Sequence, residues 1–223
     1  MDQADNSRDF DQKSHWNRIY QEARENEDSL VPNEFAREAA NRLRPPARVL
    51  ELGCGRGRDA AFFARLGFDV TAIDFSEVAV ARSRTRFANL DRLALAVVDL
   101  AALLPFLDGT FDLVYVHLSL HYFRDVVTRR LFGDIWRVLK SHGLLCFMCK
   151  SIRDPLYGLG EMIEPDMFVY QGHVRHFFSE EYARACLASN FQPEFIESIE
   201  PGRGGQSSAF VKVIARKMVS AEN

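Results

Sequence analysis

The sequence predicts an α/β fold in which a mostly parallel sheet is covered by helices on both faces. Three observations predict it. Short apolar runs at residues 49–52, 68–73, 93–98, 111–116 and 144–150 alternate with segments of helical periodicity. The first run breaks into three closely spaced glycines and then into a helix. Acidic residues stand at or beside the carboxyl ends of the first three runs, where open parallel sheets bind their ligands.

Taken in order, the segment to about Asp9 is polar, as unanchored termini usually are. Trp16, Ile19, Tyr20 and Ala23 recur at helical spacing from about Asp11. Pro32 opens a second helix through Phe35, Ala39 and Leu43, which Pro45 and Pro46 stop. A helix over 60–66 is ended by Gly67, and Ser76 is placed to cap a helix over 77–87. Residues 126–139 make the next helix before the fifth strand. The stretch 154–168, DPLYGLGEMIEPDMF, holds too many glycines and prolines for a regular element, and long irregular stretches inside compact domains tend to be functional. A helix over 178–191 follows, capped by Ser179, then a strand pair at 195–199 and 209–215 joined through PGRGGQSS.

The totals narrow the function. A length of 223 residues suits one α/β domain with a sizeable core. With 47% hydrophobic and 26% charged residues the chain is ordinarily globular, and a formal charge of -3 lacks the basic excess of a nucleic-acid binder. Cys54, Cys146, Cys149 and Cys186 sit in or beside core elements without the spacing of a disulfide framework, and the CxxC of Cys146 and Cys149 falls inside an apolar strand-like run and not at a helix start, so buried thiols are expected. No apolar run reaches the roughly 20 residues of a membrane helix, and the polar start lacks a signal peptide's apolar core. A cytoplasmic protein without membrane partners is the expectation; oligomeric state is not legible.

Chemistry concentrates at residues 49–59, VLELGCGRGRD. Gly53, Gly55 and Gly57 let a ligand lie against backbone, and the following helix aims free N–H groups at the same spot. Glu51 argues against a pyrophosphate there and suits an amine-bearing ligand. Position 58 is Arg, so the last glycine of the dinucleotide fingerprint is missing, which disfavours an NAD-dependent oxidoreductase. Arg58 itself has Asp59, Glu51 or a ligand carboxylate within reach.

This stretch resembles motif I of the class I S-adenosylmethionine-dependent methyltransferases, and the family's later landmarks follow in order. VTAID at 70–74 resembles the second strand, VVDL at 97–100 the end of the third, FDLVYVHLSLHYF at 111–123 the fourth strand and its loop, and RVLKSHGLLCF at 137–147 the helix, turn and fifth strand. The resemblance implies a Rossmann-like, doubly wound, seven-stranded sheet, mostly parallel with an antiparallel last strand. It implies S-adenosyl-L-methionine as cofactor, bound by Glu51, Gly53, Gly55, Asp74 on the ribose hydroxyls, Phe75 stacked on adenine, Asp99 and Leu100 at its edge, and His117 near the methionine part. Residues 11–46 would form a helical lid in which Trp16 and Tyr20 cover the cofactor, 47–150 the cofactor-binding core, and 151–223 the substrate side.

Methyl transfer from a sulfonium needs alignment more than catalytic groups. The acceptor is therefore less legible. His121 is the candidate general base, being able to take a proton near neutral pH. Tyr122, Tyr157 and His173 are candidate acceptor contacts. His173 and His176 superficially suggest a metal, but HVRHFF reads as extended chain with the two rings on opposite or oblique sides, so none is expected. A small-molecule acceptor is expected, since the position after the fourth strand reads VHLSLHYF and not a proline-aromatic amine-binding signature. A noncatalytic S-adenosylmethionine-binding protein is the standing alternative.

Overall fold

The computed structural model describes residues 11–22, 31–188, 190–200, 202 and 207–219. The expectations for the opening segment, for Ala23 and for most of the PGRGGQSS connection lie outside the described residues. In chain order the elements are α1 Gln12–Glu22, α2 Glu34–Ala40, β1 Arg48–Leu52, α3 Arg58–Arg65, β2 Asp69–Asp74, α4 Glu77–Arg86, β3 Leu93–Val97 and β4 Phe111–His117. A single 3-10 turn at Leu120–Tyr122 leads to α5 Asp125–Val138, β5 Leu139–Lys150, β6 Glu161–Glu164, β7 Met167–Tyr170, β8 His173–His176, α6 Glu180–Leu187, β9 Phe191–Ile199 and β10 Phe210–Lys217.

Seven strands form one sheet in the order β3-β2-β1-β4-β5-β10-β9. The first five are parallel, and β10 runs antiparallel between β5 and β9, as expected for a Rossmann-like doubly wound sheet. The chain steps outward from β1 in both directions, so a crevice opens between the carboxyl ends of β1 and β4. Alternation along the strands divides the apolar residues between two cores. Leu50, Leu52, Val114 and Val116 face α5 and α6 on one side, whereas Val49, Leu113 and Tyr115 face α2 and α3 on the other. All four cysteines are free and buried.

Ser76 caps α4 by accepting the Ala79 N–H, and Ser179 caps α6 by accepting that of Tyr182. Helix α1 buries no residue completely and rests on α4 through polar contacts: Lys13 pairs with Glu77 at 3.0 Å, and the Arg82 guanidinium donates to the Tyr20 and Gln21 carbonyls.

The stretch 154–168 departs from expectation. It holds β6 and the first half of β7, which with β8 form a separate three-stranded antiparallel sheet. Its breakers sit at the turns and not inside the strands. Gly158 and Gly160 precede β6, Pro165 and Asp166 link β6 to β7, and Gln171 and Gly172, both with positive φ, form the two-residue link to β8. Among the described residues no helix is long and apolar enough to cross a membrane.

Candidate active site

Strand β1 ends at Leu52, and the turn that follows is tied to β2 by Gly53 and Cys54 N–H donors on the Ile73 carbonyl. Gly53 and Gly55 take positive φ, +72° and +51°. A methyl group at Gly53 would collide with the Ser119 side chain, and one at Gly55 would lie 2.7 Å from the Tyr20 hydroxyl, so the turn is closed to larger residues by shape as well as by backbone angle.

Two buried carboxylates flank this turn. Asp74 accepts the Gly55 N–H at 2.8 Å on one oxygen and the Ser76 N–H at 2.9 Å on the other. Burial raises its carboxyl above the usual range while those two donors pull it back, and each oxygen keeps a further lone pair. Glu51 is 3% exposed, and its Oε2 has no hydrogen-bond partner. Burial, then the neighbouring Asp59, pushes its carboxyl well above the ordinary carboxylate range.

Three cavities open along the carboxyl ends of the strands. The first, about 320 Å³, is lined by Trp16, Tyr20, Gly53, Asp74, Phe75, Asp99, Leu100 and Tyr122, among others. The second, about 380 Å³, shares Trp16, Tyr20, Gly53 and Tyr122 with the first and adds Glu51, Gly55, Arg58 and His117. The third, about 580 Å³, lies under the start of α2 between Phe35, Glu38, Met148, Phe210 and Lys212, and shares Asn33, Arg58, His117 and Leu118 with the second. Leu118 lines all three and has φ +58°, a left-handed angle that L residues adopt at a cost; its N–H is held by the Met148 carbonyl at 2.9 Å.

The structure thus gathers every cofactor candidate named from the sequence around two adjoining cavities. Asp99 is exposed, and its carboxylate accepts the Ala101 N–H at 2.8 Å on one oxygen, leaving capacity toward the first cavity. Trp16 stacks obliquely on Tyr20, with ring centroids 5.7 Å apart, and meets Tyr122 edge-on at 5.3 Å. These aromatics, with Gln12 and Lys13, roof the first cavity.

The acceptor candidates are dispersed. Tyr122 lines the first two cavities. His121 is 1% exposed, lines none of the three, and stands against Tyr122 with its Nδ1 unpartnered; burial, followed by Arg175 and Lys150, drives its pKa well below the ordinary histidine value. The 3-10 turn folds this ring inward, away from the cavities that a general base would have to reach. Tyr157 lines none of the three cavities: it is 39% exposed, donates to Asp166 at 2.7 Å and packs on Phe168 of β7 and on Phe177. His173 packs behind the lid against His15 at 3.2 Å and edge-on to Trp16, lining none of the three cavities. His173 and His176 fall on opposite faces of β8, half-buried and buried.

Sequence reasoning missed Asn33. It occupies the N-cap position of α2 yet makes no side-chain cap bond. Its side chain turns to the site, donating through Nδ2 to Asp59 at 2.6 Å, accepting at Oδ1 from Arg58 at 2.7 Å and standing 3.2 Å from His117 Nδ1. Asp59, 3% exposed, also accepts the Asn33 N–H at 2.9 Å and the Tyr115 hydroxyl at 3.2 Å. The only signal available was an asparagine directly after Pro32, which reads as an ordinary cap.

Residues 49–143 match the family model described as a methyltransferase domain. An uncharacterized methyltransferase of Synechocystis is 31% identical over 106 residues, 48% of each chain. The chain spans about half or less of the curated relatives it matches first. Among solved structures, a 1,6-didemethyltoxoflavin-N1-methyltransferase of Burkholderia thailandensis with S-adenosylhomocysteine bound superposes with TM-score 0.70 at 23% identity, covering 93% of this chain and 87% of that one. The cyclase SpnF superposes with TM-score 0.67 at 22% identity, covering 83% and 81%. At these identities the superpositions speak for the fold alone.

Proposed function

We propose that the chain carries a class I S-adenosylmethionine-dependent methyltransferase domain, whose family model matches residues 49–143, and that it uses that cofactor to methylate a small molecule seated in the third cavity. One observation carries the reading. Glu51 is a buried carboxylate whose Oε2 lacks a partner, beside a glycine turn that admits close approach. A buried carboxylate is stable only when paired, and an α-ammonium group supplies the missing donor.

The remaining lining fits the rest of the cofactor. Asp74 has lone pairs to accept two ribose hydroxyls, Phe75 and Leu100 give an apolar slot for adenine, and Asp99 can accept its amino group. When bound, S-adenosylmethionine supplies an electrophilic methyl group on a positively charged sulfur. The chain's own residues then bind, align and exclude water: Trp16, Tyr20 and Tyr122 roof the first two cavities, and His117 and Leu118 stand where the second meets the third. The third cavity mixes the apolar Phe35, Met148 and Phe210 with Glu38 and Lys212, which pair with one another at 3.0 Å. That lining suits a compact, partly apolar acceptor.

Titration calorimetry with S-adenosylhomocysteine, followed by methyl-labelled cofactor and a metabolite extract, tests the reading. Binding and a labelled small molecule are the expected outcome. Tight binding with no labelled product favours the noncatalytic alternative, since a cofactor pocket does not by itself imply methyl transfer. Binding of NAD in place of the sulfonium nucleoside would revive the oxidoreductase.

A further inference from the structure

We propose that His117 is held as its neutral, Nε2-protonated tautomer and acts as a hydrogen-bond donor orienting a lone-pair atom of the acceptor, with Asn33 as the positioning residue that sets this state. The proposal rests on the reading of the third cavity as the acceptor site.

Hydrogen-bonding partners decide the orientation of the Asn33 amide. A guanidinium only donates, so the Asn33 atom 2.7 Å from Arg58 Nη2 is the carbonyl oxygen. A carboxylate accepts, so the atom 2.6 Å from Asp59 Oδ2 is the amide nitrogen. That nitrogen has a second hydrogen, and His117 Nδ1 stands 3.2 Å away to receive it. A donor aimed at Nδ1 requires a lone pair there, which leaves the single ring proton on Nε2. The other tautomer would set N–H against N–H, and an imidazolium would do so beside Arg58.

The groups around the ring agree. Asp59 and Arg58 face it from α3, Asn33 from the head of α2, and Tyr115 is stacked parallel to it on β4 at 6.4 Å. His121 is its neighbour from the following turn. Burial brings the His117 pKa down to about 4, with Asp59 opposing and Arg58 assisting, so the ring is neutral near pH 7. Nε2 makes no hydrogen bond among the described residues and is absent from their buried, partnerless polar atoms, while the ring lines the second and third cavities. Its N–H therefore faces open space at their junction.

A donor at that point restricts the acceptor. The reacting atom must present a lone pair at neutral pH without help from this histidine and keep a second one for its N–H, as a thiolate or an acidic phenolate does. The lone pair forms the new bond to the methyl carbon, the carbon–sulfur pair stays with sulfur, and any proton on the acceptor atom leaves to solvent. His117 keeps its own proton throughout.

The test uses the intact protein labelled with ¹⁵N-histidine and saturated with S-adenosylhomocysteine. Long-range proton–nitrogen correlation at pH 7 is expected to show an unprotonated Nδ1 and a protonated Nε2 for His117, and Asn33→Ala is expected to admit the other tautomer. With the labelled acceptor from the extract screen, His117→Gln, which keeps an N–H near the ε position, should retain turnover within about tenfold, whereas His117→Ala should lose roughly 10–100-fold, the scale of one hydrogen bond to a reacting group. S-adenosylhomocysteine affinity is measured for both variants, and a loss of turnover in His117→Ala that exceeds any loss of affinity is expected. An Nδ1–H signal in the unmodified protein overturns the proposal without any variant having to fold. So does an acidic limb in kcat near pH 6–7 that vanishes in His117→Gln, which would mark a base. Loss of nucleoside affinity parallel to loss of turnover would assign the N–H to the cofactor instead. Failure of the unmodified protein to bind the nucleoside would overturn the functional reading beneath, a result the tautomer measurement keeps distinct.

Discussion

Asp74 and Asp99 stand out in the sequence as candidate ligand residues because one ends a strand and the other follows one by two residues, yet the structure gives them different structural burdens. Asp74 is buried and holds two backbone N–H groups, whereas Asp99 is exposed and holds one. Asp74→Ala is therefore expected to weaken S-adenosylhomocysteine binding by about 100-fold or more and to lower the melting temperature as well. Asp99→Ala should cost roughly tenfold in affinity with little thermal change; calorimetry and thermal melts separate the two. Glu51 carries the opposite trade. Its folded pKa lies above its unfolded one, so the folded state binds more protons between the two values and stability from this group falls as pH rises through that window. Glu51→Gln should bind the nucleoside more weakly, and its melting temperature relative to the unmodified protein should climb from pH 5 to pH 8. Asn33 was illegible for a physical reason: its partners Arg58, Asp59 and His117 lie 25, 26 and 84 positions away, and nothing local marks a cap residue whose side chain has turned elsewhere.

Among the elements, the helices and main-sheet strands were legible to within a few residues, since each is a local pattern bounded by a cap, a glycine or a proline. Ser76 shows how much rests on one such residue. Its hydroxyl accepts the Ala79 N–H to start α4 and donates to Asn17 of α1, so it joins the lid to the body of the fold. Ser76→Ala is expected to cost about 1 kcal/mol in denaturant unfolding and to weaken nucleoside binding severalfold through the lid. Trp16→Ala tests the lid directly: affinity for S-adenosylhomocysteine should fall about tenfold, and unchanged affinity would reduce α1 to a packing element. The β6–β8 sheet was not legible as strands because its turn residues outnumber its apolar ones over the same stretch. Four-residue strands carry too few alternations to stand out, and their pairing partners are what stabilise them.

Across the molecule, His15, His117, His121, His173 and His176 share one direction of perturbation. Burial lowers the pKa values of His117 and His173 to about 4, and those of His15, His121 and His176 also fall. Unfolded, these rings take protons near pH 6.5, so between that value and about 4 the unfolded chain binds more protons. The associated stability is complete above about pH 6.5 and lost as pH falls through this window. Thermal melts should therefore drop steeply between pH 6.5 and 4.5, and a melting temperature flat over that range would contradict the burial of these rings.

By itself the sequence determined the alternation of strands and helices, the glycine turn and the acidic residues at strand ends, because each is written in contiguous residues whose spacing obeys helix or strand geometry. Only the tertiary structure decided which groups share a cavity. It folded His121 inward, packed Tyr157 against a small sheet and brought Asn33 to His117, since those outcomes depend on packing between segments distant in the chain and not on any local pattern.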